Sequence, residues 1–393
     1  MREAPARQQV VGIVAGEASG DQLGAHLMRT LLARQPGLRF VGIGGPKMEA
    51  AGAQILFPME KLAVRGYVEV VRHYWEIIGI RRQLRDYFLR EQPALFIGVD
   101  APDFNLDLEI ALRKAGISTV QYVAPAIWAW RRERIHKVKA AVTLLLTLYP
   151  FETRLYEQGG VHVRYVGHPL ADLLTHLPTM DAVREELRVQ SGVPVFALLP
   201  GSRVSELEHM AELFVRTAVR VSEALPEARF LVPFATRETK VLFEAAIARV
   251  QPEELKLKTL IGHSLEAMAA ADVVLVASGT ATLEAALLKR PMVITYRMPR
   301  LSWWLMSRRA YLPHVGLPNI LAGERIVPEL LQEDATPEKL AEALVALYSD
   351  PAAKASLDAR FERMRVALRQ NTDEKAAAAI MPLLSQVRAR IRR

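Results

Sequence analysis

The sequence predicts an α/β protein made of two doubly wound, Rossmann-like halves facing a cleft, with a helical C-terminal tail. Three features point to it. Short apolar runs alternate with segments of helical spacing up to Gly167. The alternation loosens between Gly167 and Val189 and then restarts. From Thr336 onward the spacing is helical to the end. The expected division is 1–170, 171–345 and 346–393. The last piece is expected to pack back on the first domain or on a second subunit, the latter giving a homodimer.

The elements follow in order. "QVVGIVAG" (Gln9–Gly16) is a strand, because a short apolar, β-branched run ends at a turn signal. Asp21–Gln35 places Leu23, Leu27, Leu31 and Leu32 on one side of a helix. "LRFVGIGG" (Leu38–Gly45), "ALFIGVD" (Ala94–Asp100) and "STVQYVAP" (Ser118–Pro125) are strands, with helical "LDLEIALRKAG" before the last of these. "VTLLLTLYP" (Val142–Pro150) and "VRYVG" (Val163–Gly167) complete the first half. The second half repeats the scheme with "PVFALLPG" (Pro194–Gly201), "RFLVPFA" (Arg229–Ala235), "LKTLIG" (Leu257–Gly262), "DVVLVASG" (Asp272–Gly279) and "PMVITYR" (Pro291–Arg297). Strands alternating with helices imply right-handed crossovers and parallel sheets.

Bulk composition narrows the function classes. Of 393 residues, 51% are hydrophobic and 24% charged, enough for full cores. There is no cysteine, which excludes disulfides, thiolate metal sites and a Cys nucleophile. The longest apolar run, "AAVTLLLTLYPF" (Ala140–Phe151), is too short for a membrane span. The start, "MREAPARQQVVGIVAG", is too strand-like for a signal peptide, so a cytoplasmic location is expected. A net charge of +8 favours an anionic partner. No nucleic-acid recognition module is visible.

In doubly wound sheets ligands bind beyond the carboxyl ends of the strands. The loop "AGEASGDQLG" (Ala15–Gly24) is Gly-rich but carries Glu17 and Asp21, which suit sugar hydroxyls better than phosphate. Ser19 or Asp21 serves equally well as a helix cap. "LFIGVDAPDFNLDL" (Leu95–Leu108) empties a strand into Asp100, Asp103, Asn105 and Asp107. Asp100, at the strand end, is the candidate base. Asp103 and Asn105 suit turn or cap roles, and Asp107 suits a first-turn acid favoured by the helix dipole. "LLPGSRVSELE" (Leu198–Glu208) puts Ser202 and Arg203 at a strand end, with Ser205 and Glu208 at capping-box spacing. Arginine there offers a planar fork to a phosphate. "ASGTATLEAALL" (Ala277–Leu288) brings Ser278, Gly279 and Thr280 to a helix start, an anion site, with Glu284 placed for a ribose diol. No H-E-x-x-H or D-x-D occurs, so no metal site is expected, and without G-x-S-x-G there is no Ser nucleophile elbow. No cofactor is expected.

Three stretches mix aromatic and basic residues: 64–90, 128–139 and 301–312. Each suits either a core face with a solvated charged side or the headgroup zone of an anionic membrane. Their recurrence, with the tail "RARIRR", favours the membrane.

"GEASGD", "GIGGPKM", "GVDAPDFN", "WAWR", "VGHPL", "LPGSR", "SGTATLE" and "LPNILAG" followed by "VPELLQ" occur in that order from about Val10 to Leu347. The ordered set resembles the lipid-A-disaccharide synthase family. That resemblance implies a GT-B glycosyltransferase that inverts the donor's anomeric centre. It implies UDP-2,3-diacylglucosamine as donor and 2,3-diacylglucosamine 1-phosphate (lipid X) as acceptor. The product would be the β-1,6-linked disaccharide 1-phosphate plus UDP, formed at the cytoplasmic face of a Gram-negative inner membrane. It implies Asp100 as base, and Ser202, Arg203, Ser278, Gly279 and Thr280 around the diphosphate. Glu284 would hold the ribose, with Asn319 near the nucleotide and Glu17, Ser19 and Asp21 on the acceptor side. Two positions depart from the family pattern: Arg65, where an apolar residue is usual, and Ala126, where a polar one is common. Alternatives are another UDP-sugar enzyme of the fold, such as a cell-wall glycosyltransferase or an epimerase, and a non-catalytic nucleotide or lipid binder.

Overall fold

A computed structural model describes residues 9–62, 70–128, 132–176, 179–300, 303, 304, 308 and 311–391; of 70–74, 176 and 386–391 only the backbone is described. The chain forms two compact units, Met1–Asp172 with Leu368–Arg393, and Leu173–Ala367.

The first unit holds β1 (Gln9–Ala15), β2 (Leu38–Gly44), β3 (Gln54–Pro58), β4 (Leu95–Val99), β5 (Thr119–Tyr122), β6 (Leu144–Thr147) and β7 (Val163–Tyr165). They form one sheet in the order β3-β2-β1-β4-β5-β6-β7. All pairings are parallel. Central strands are apolar throughout because both faces are covered. Alternate residues then serve opposite cores. Val11, Ile13, Leu95 and Ile97 pack with Met28 and Leu31 of the helix Ala18–Arg34 and with Ile380 and Leu384 of the helix Thr372–Ile391. Val14 and Phe96, pointing the other way, pack with Leu84 and Phe88 of the helix Val70–Glu91 and Leu108 and Leu112 of the helix Pro102–Lys114.

The second unit holds β8 (Val195–Leu199), β9 (Arg229–Phe234), β10 (Leu257–Ile261), β11 (Val273–Ala277), β12 (Met292–Tyr296) and β13 (Glu329–Leu331) in the order β10-β9-β8-β11-β12-β13. Its core joins Phe196, Phe230 and Leu275 to Phe214 of the helix Val204–Ala224 and Leu344 of the helix Pro337–Ser349. Both sheets reverse their winding once, between β1 and β4 and between β8 and β11. Those two reversals are where a doubly wound sheet opens a crevice for ligands.

The eleven strands expected from the sequence all form; β3 and β13 are additional. The expected 346–393 tail does not behave as one piece. Residue 346 falls inside the helix Pro337–Ser349, the second unit continues to Ala367, and the chain rejoins the first unit at Leu368. There Asp172 accepts hydrogen bonds from the Asn371 and Thr372 amides, 3.0 and 2.7 Å, fixing the start of the last helix. Among the described residues no helix is long and apolar enough to cross a membrane.

Candidate active site

In the first unit, both loops at the winding reversal carry acids singled out from the sequence. β1 ends at Ala15, and Glu17 stands at the N-cap of the following helix in extended conformation. Glu17 and Ser19 are exposed. Asp21 faces away from them. It is 2% exposed, and its carboxylate accepts the amides of Gly45 (2.8 Å), Lys47 (3.0 Å) and Met48 (3.0 Å). Expected on the acceptor side, Asp21 instead caps the short helix Pro46–Ala50 and ties "GGPKM" to the first helix.

Asp100 follows β4 directly. It and Ala101 both have left-handed backbones, φ 52° and 43°, which for residues with a Cβ costs about 1–2 kcal/mol each. Three hydrogen bonds hold the turn. The Asp100 amide donates to Tyr122 O at 2.8 Å. Its carbonyl accepts from Asn105 Nδ2 at 2.8 Å and Gln121 Nε2 at 2.9 Å. The carboxyl is pushed above its ordinary range, first by burial and then by the charge of Glu17; a hydrogen bond from the Ala101 amide partly offsets this. The neighbouring acids differ. Asp103 is in the first helical turn and pairs with Arg134. Asp107 is not a first-turn acid, because the helix already begins at Pro102; it pairs with Arg81 (2.8 Å) and Lys137 (2.6 Å).

In the second unit the reversal opens a cavity of about 650 Å³ lined by Gly201, Ser202, Arg203, Ser278, Gly279, Thr280 and Glu284, among others. A larger hollow, about 760 Å³, is lined by residues such as Pro226 and Lys256. These precede β9 and β10, so that hollow lies at the amino ends of strands, where this sheet type has no crevice. In the cavity, Gly279 caps the helix Thr280–Leu287 at φ 145°, ψ −163°, a conformation essentially open to glycine alone. The helix presents its amide end there. Burial raises the Glu284 carboxyl above its ordinary value. Ser278 Oγ donates to Val315 O at 3.2 Å.

Two expectations change. The helix after "LLPGSR" starts at Val204, with Arg203 as N-cap, rather than at Ser205. Its capping acid is therefore Glu206, which accepts the Ser202 and Arg203 amides at 2.9 and 3.2 Å. Asn319 is fully buried and makes four hydrogen bonds. Nδ2 donates to Val327 O and Glu329 Oε1; Oδ1 accepts the Ile326 and Val327 amides. That uses its whole capacity. Asn319 supports the loop from beneath and has no hydrogen bond left for a nucleotide. Glu329 extends the support by accepting the Val315 and Gly316 amides.

The aromatic-basic stretches also divide. In 64–90, Arg65 lies outside the described residues, Leu84 and Phe88 are core, and Trp75 is 65% exposed. In 128–139, Trp130 is outside the described residues. Trp128 turns inward, donating to Glu152 at 2.9 Å and meeting Phe151 edge-on; it is a packing residue. In 301–312, the Arg308 guanidinium lies 3.9 Å from the Trp304 ring centre. Trp304 and Tyr311 are exposed. The tail "RARIRR" is described only as backbone to Ile391, and Ala126 lies at the surface.

Sequence reasoning missed Gln121, Glu206 and Glu329. Glu206 was within reach of a capping pattern once the helix start was placed. The other two carry no local signal, because each acts across the fold.

Comparison with known proteins bears on this geometry. Residues 11–381 match the family model described as lipid-A-disaccharide synthetase. A lipid-A-disaccharide synthase of Methylobacillus flagellatus is 55% identical over 374 residues, covering 95% of this chain and 99% of its own. One of Azoarcus sp. strain BH72 is 56% identical over 375 residues, 95% and 96% of the two chains. Among solved structures, the glycosyltransferase of kitacinnamycin superposes with TM-score 0.60 at 18% identity, over 96% of this chain and 100% of that one. Acinetobacter baumannii MurG does so with TM-score 0.57 at 15% identity, over 95% and 99%. At such identities the likeness speaks to fold: two Rossmann-like units of the GT-B glycosyltransferase type.

Proposed function

The chain belongs to the lipid-A-disaccharide synthetase family and is a glycosyltransferase, and from that premise we propose how its residues divide the reaction. The donor is UDP-2,3-diacylglucosamine and the acceptor 2,3-diacylglucosamine 1-phosphate. Asp100 takes the proton of the acceptor 6-hydroxyl as that oxygen bonds to the donor's anomeric carbon. The bond to UDP breaks on the opposite face, and UDP leaves with the electron pair. Inversion gives the β-1,6-linked disaccharide 1-phosphate.

The observation that carries this is the setting of Asp100. A strained turn at the winding reversal is held by three hydrogen bonds, and its carboxyl is raised by burial and Glu17. A raised pKa makes a carboxylate a better base while leaving it usable near neutral pH. Glu17 and Ser19 bind acceptor hydroxyls. In the second unit, the Ser278–Thr280 helix end and Arg203, with Ser202, hold the diphosphate and stabilise it as it leaves. Glu284 binds the ribose diol. Asn319 and Asp21 act by fixing the loops beside these groups. Exposed Trp75, Trp304 and Tyr311, with neighbouring arginines, support peripheral attachment to an anionic inner-membrane surface.

The test is incubation of purified protein with both lipids in detergent, with and without EDTA. Disaccharide 1-phosphate and UDP are expected in equal amounts, unchanged by EDTA. No disaccharide in either condition overturns the assignment; loss with EDTA alone overturns a mechanism carried by Arg203 and the helix end.

A further inference from the structure

We infer that Glu109 is a positioning residue of the Asp100 site: its neutral carboxyl donates a hydrogen bond to Gln121 Oε1 and so fixes one of the two side-chain amides that hold the Asp100 main chain. The assignment rests on Asp100 being the base.

The Asp100 carbonyl accepts from both Asn105 Nδ2 and Gln121 Nε2, at 2.8 and 2.9 Å. The same nitrogens also donate to Val14 O (3.5 Å) and Val123 O (3.2 Å). Each amide nitrogen is thus turned toward main-chain carbonyls, which settles where the amide oxygens point. Asn105 Oδ1, Gln121 Oε1 and both carboxyl oxygens of Glu109 are buried and meet no donor among the described residues. All three side chains are 0% exposed.

Gly98 of β4 forms the floor of this space. A Cβ there would lie 2.5 Å from Gln121 Oε1 and 2.6 Å from Glu109 Oε1. Carboxyl and amide oxygen therefore share one confined volume that only glycine leaves open. An ionised Glu109 would add a buried charge and two more acceptors to a cluster already short of hydrogens. A neutral carboxyl supplies one O–H to the cluster and places it within the volume shared with Gln121 Oε1. Burial alone pushes Glu109 up to about 8, with no charged neighbour contributing. The proton also breaks the symmetry of the Gln121 amide: a flipped Gln121 would turn its oxygen against the Asp100 carbonyl.

The experiment compares Glu109→Gln with Glu109→Leu in the full chain. Glutamine keeps an N–H donor, so kcat is expected within about twofold of the parent. Leucine removes the donor, and kcat is expected to fall ~10- to 100-fold with KM for both lipids little changed. Circular dichroism and the thermal unfolding of the first unit, which contains Glu109, monitor folding. Infrared spectroscopy of the parent is expected to show a protonated-carboxyl band that Glu109→Gln removes. Glutamine as damaging as leucine, a fully active leucine variant, or no such band would each overturn the inference. An active Asp100→Asn would instead remove Asp100 as base, while the infrared band still decides the proton on Glu109.

Discussion

Gly16 and Ala101 meet at the winding reversal of the first sheet: a Cβ on Gly16 would stand 2.8 Å from the Ala101 methyl. The turn after β1 thereby abuts the left-handed residue beside Asp100. Gly16→Ala forces that turn to move, since overpacking of a filled site costs ~1–3 kcal/mol. Turnover is expected to drop by about tenfold or more with UDP affinity intact. Steady-state kinetics and a UDP titration check both halves.

Asp100→Asn removes the proposed base while keeping the shape of the side chain. At least a ~100-fold loss of kcat is expected, again with UDP binding unchanged. Glu17→Gln gives a finer reading. The proposed mechanism needs ionised Asp100, so it has kcat/KM rise with pH through the Asp100 pKa. The negative Glu17 raises that pKa, so removing its charge lowers it. The acidic limb of the profile should therefore move to lower pH, and a limb that stays or moves upward contradicts the pairing.

Glu206 brings a negative charge into the cavity proposed for a diphosphate, lining it beside Arg203. Glu206→Gln keeps a carbonyl oxygen for the Ser202 and Arg203 amides but drops the charge. UDP affinity should rise about two- to fivefold at low salt, the gain shrinking as salt is added. Calorimetric titration at two ionic strengths measures it.

Asn319 predicts a loss of stability. Asn319→Ala strips partners from the Ile326 and Val327 amides, the Val327 carbonyl and Glu329. About 3 kcal/mol is expected to be lost, roughly 10 °C in the Tm of the second unit. UDP affinity should fall only as the supported loop loosens. A variant with parental Tm and no UDP binding would return Asn319 to direct contact.

These cases mark how far the sequence could be read. Interior strands were legible because burial on both faces makes them continuous apolar runs. β3 and β13 were not: they are edge strands of five and three residues with part-exposed side chains, so their composition resembles that of loops. The loops at both winding reversals were found because strand order follows from alternation, and a polar residue at a strand end is visible. What a polar residue does there was not visible. Asp21, Asn319 and Asp100 look alike in one dimension, yet two are occupied by mainly backbone partners and one keeps a raised carboxyl at the turn. Glu109 was hidden for a simpler reason: a glutamate in a helical run looks solvent-facing until the sheet is laid over it.

The helix Thr372–Ile391 places Ala376, Ala377, Ile380 and Leu384 in the same core as Val11 and Ile13. β1 therefore waits for the helix Thr372–Ile391 to be translated before its inner face is fully covered. The second unit is continuous from Leu173 to Ala367, so it can close during that wait. The first unit is then completed after the second, and a nonsense codon after Ala367 would leave a complete second unit attached to a first unit with an open side. Such a product exposes apolar surface to chaperones and proteases while retaining a folded second unit.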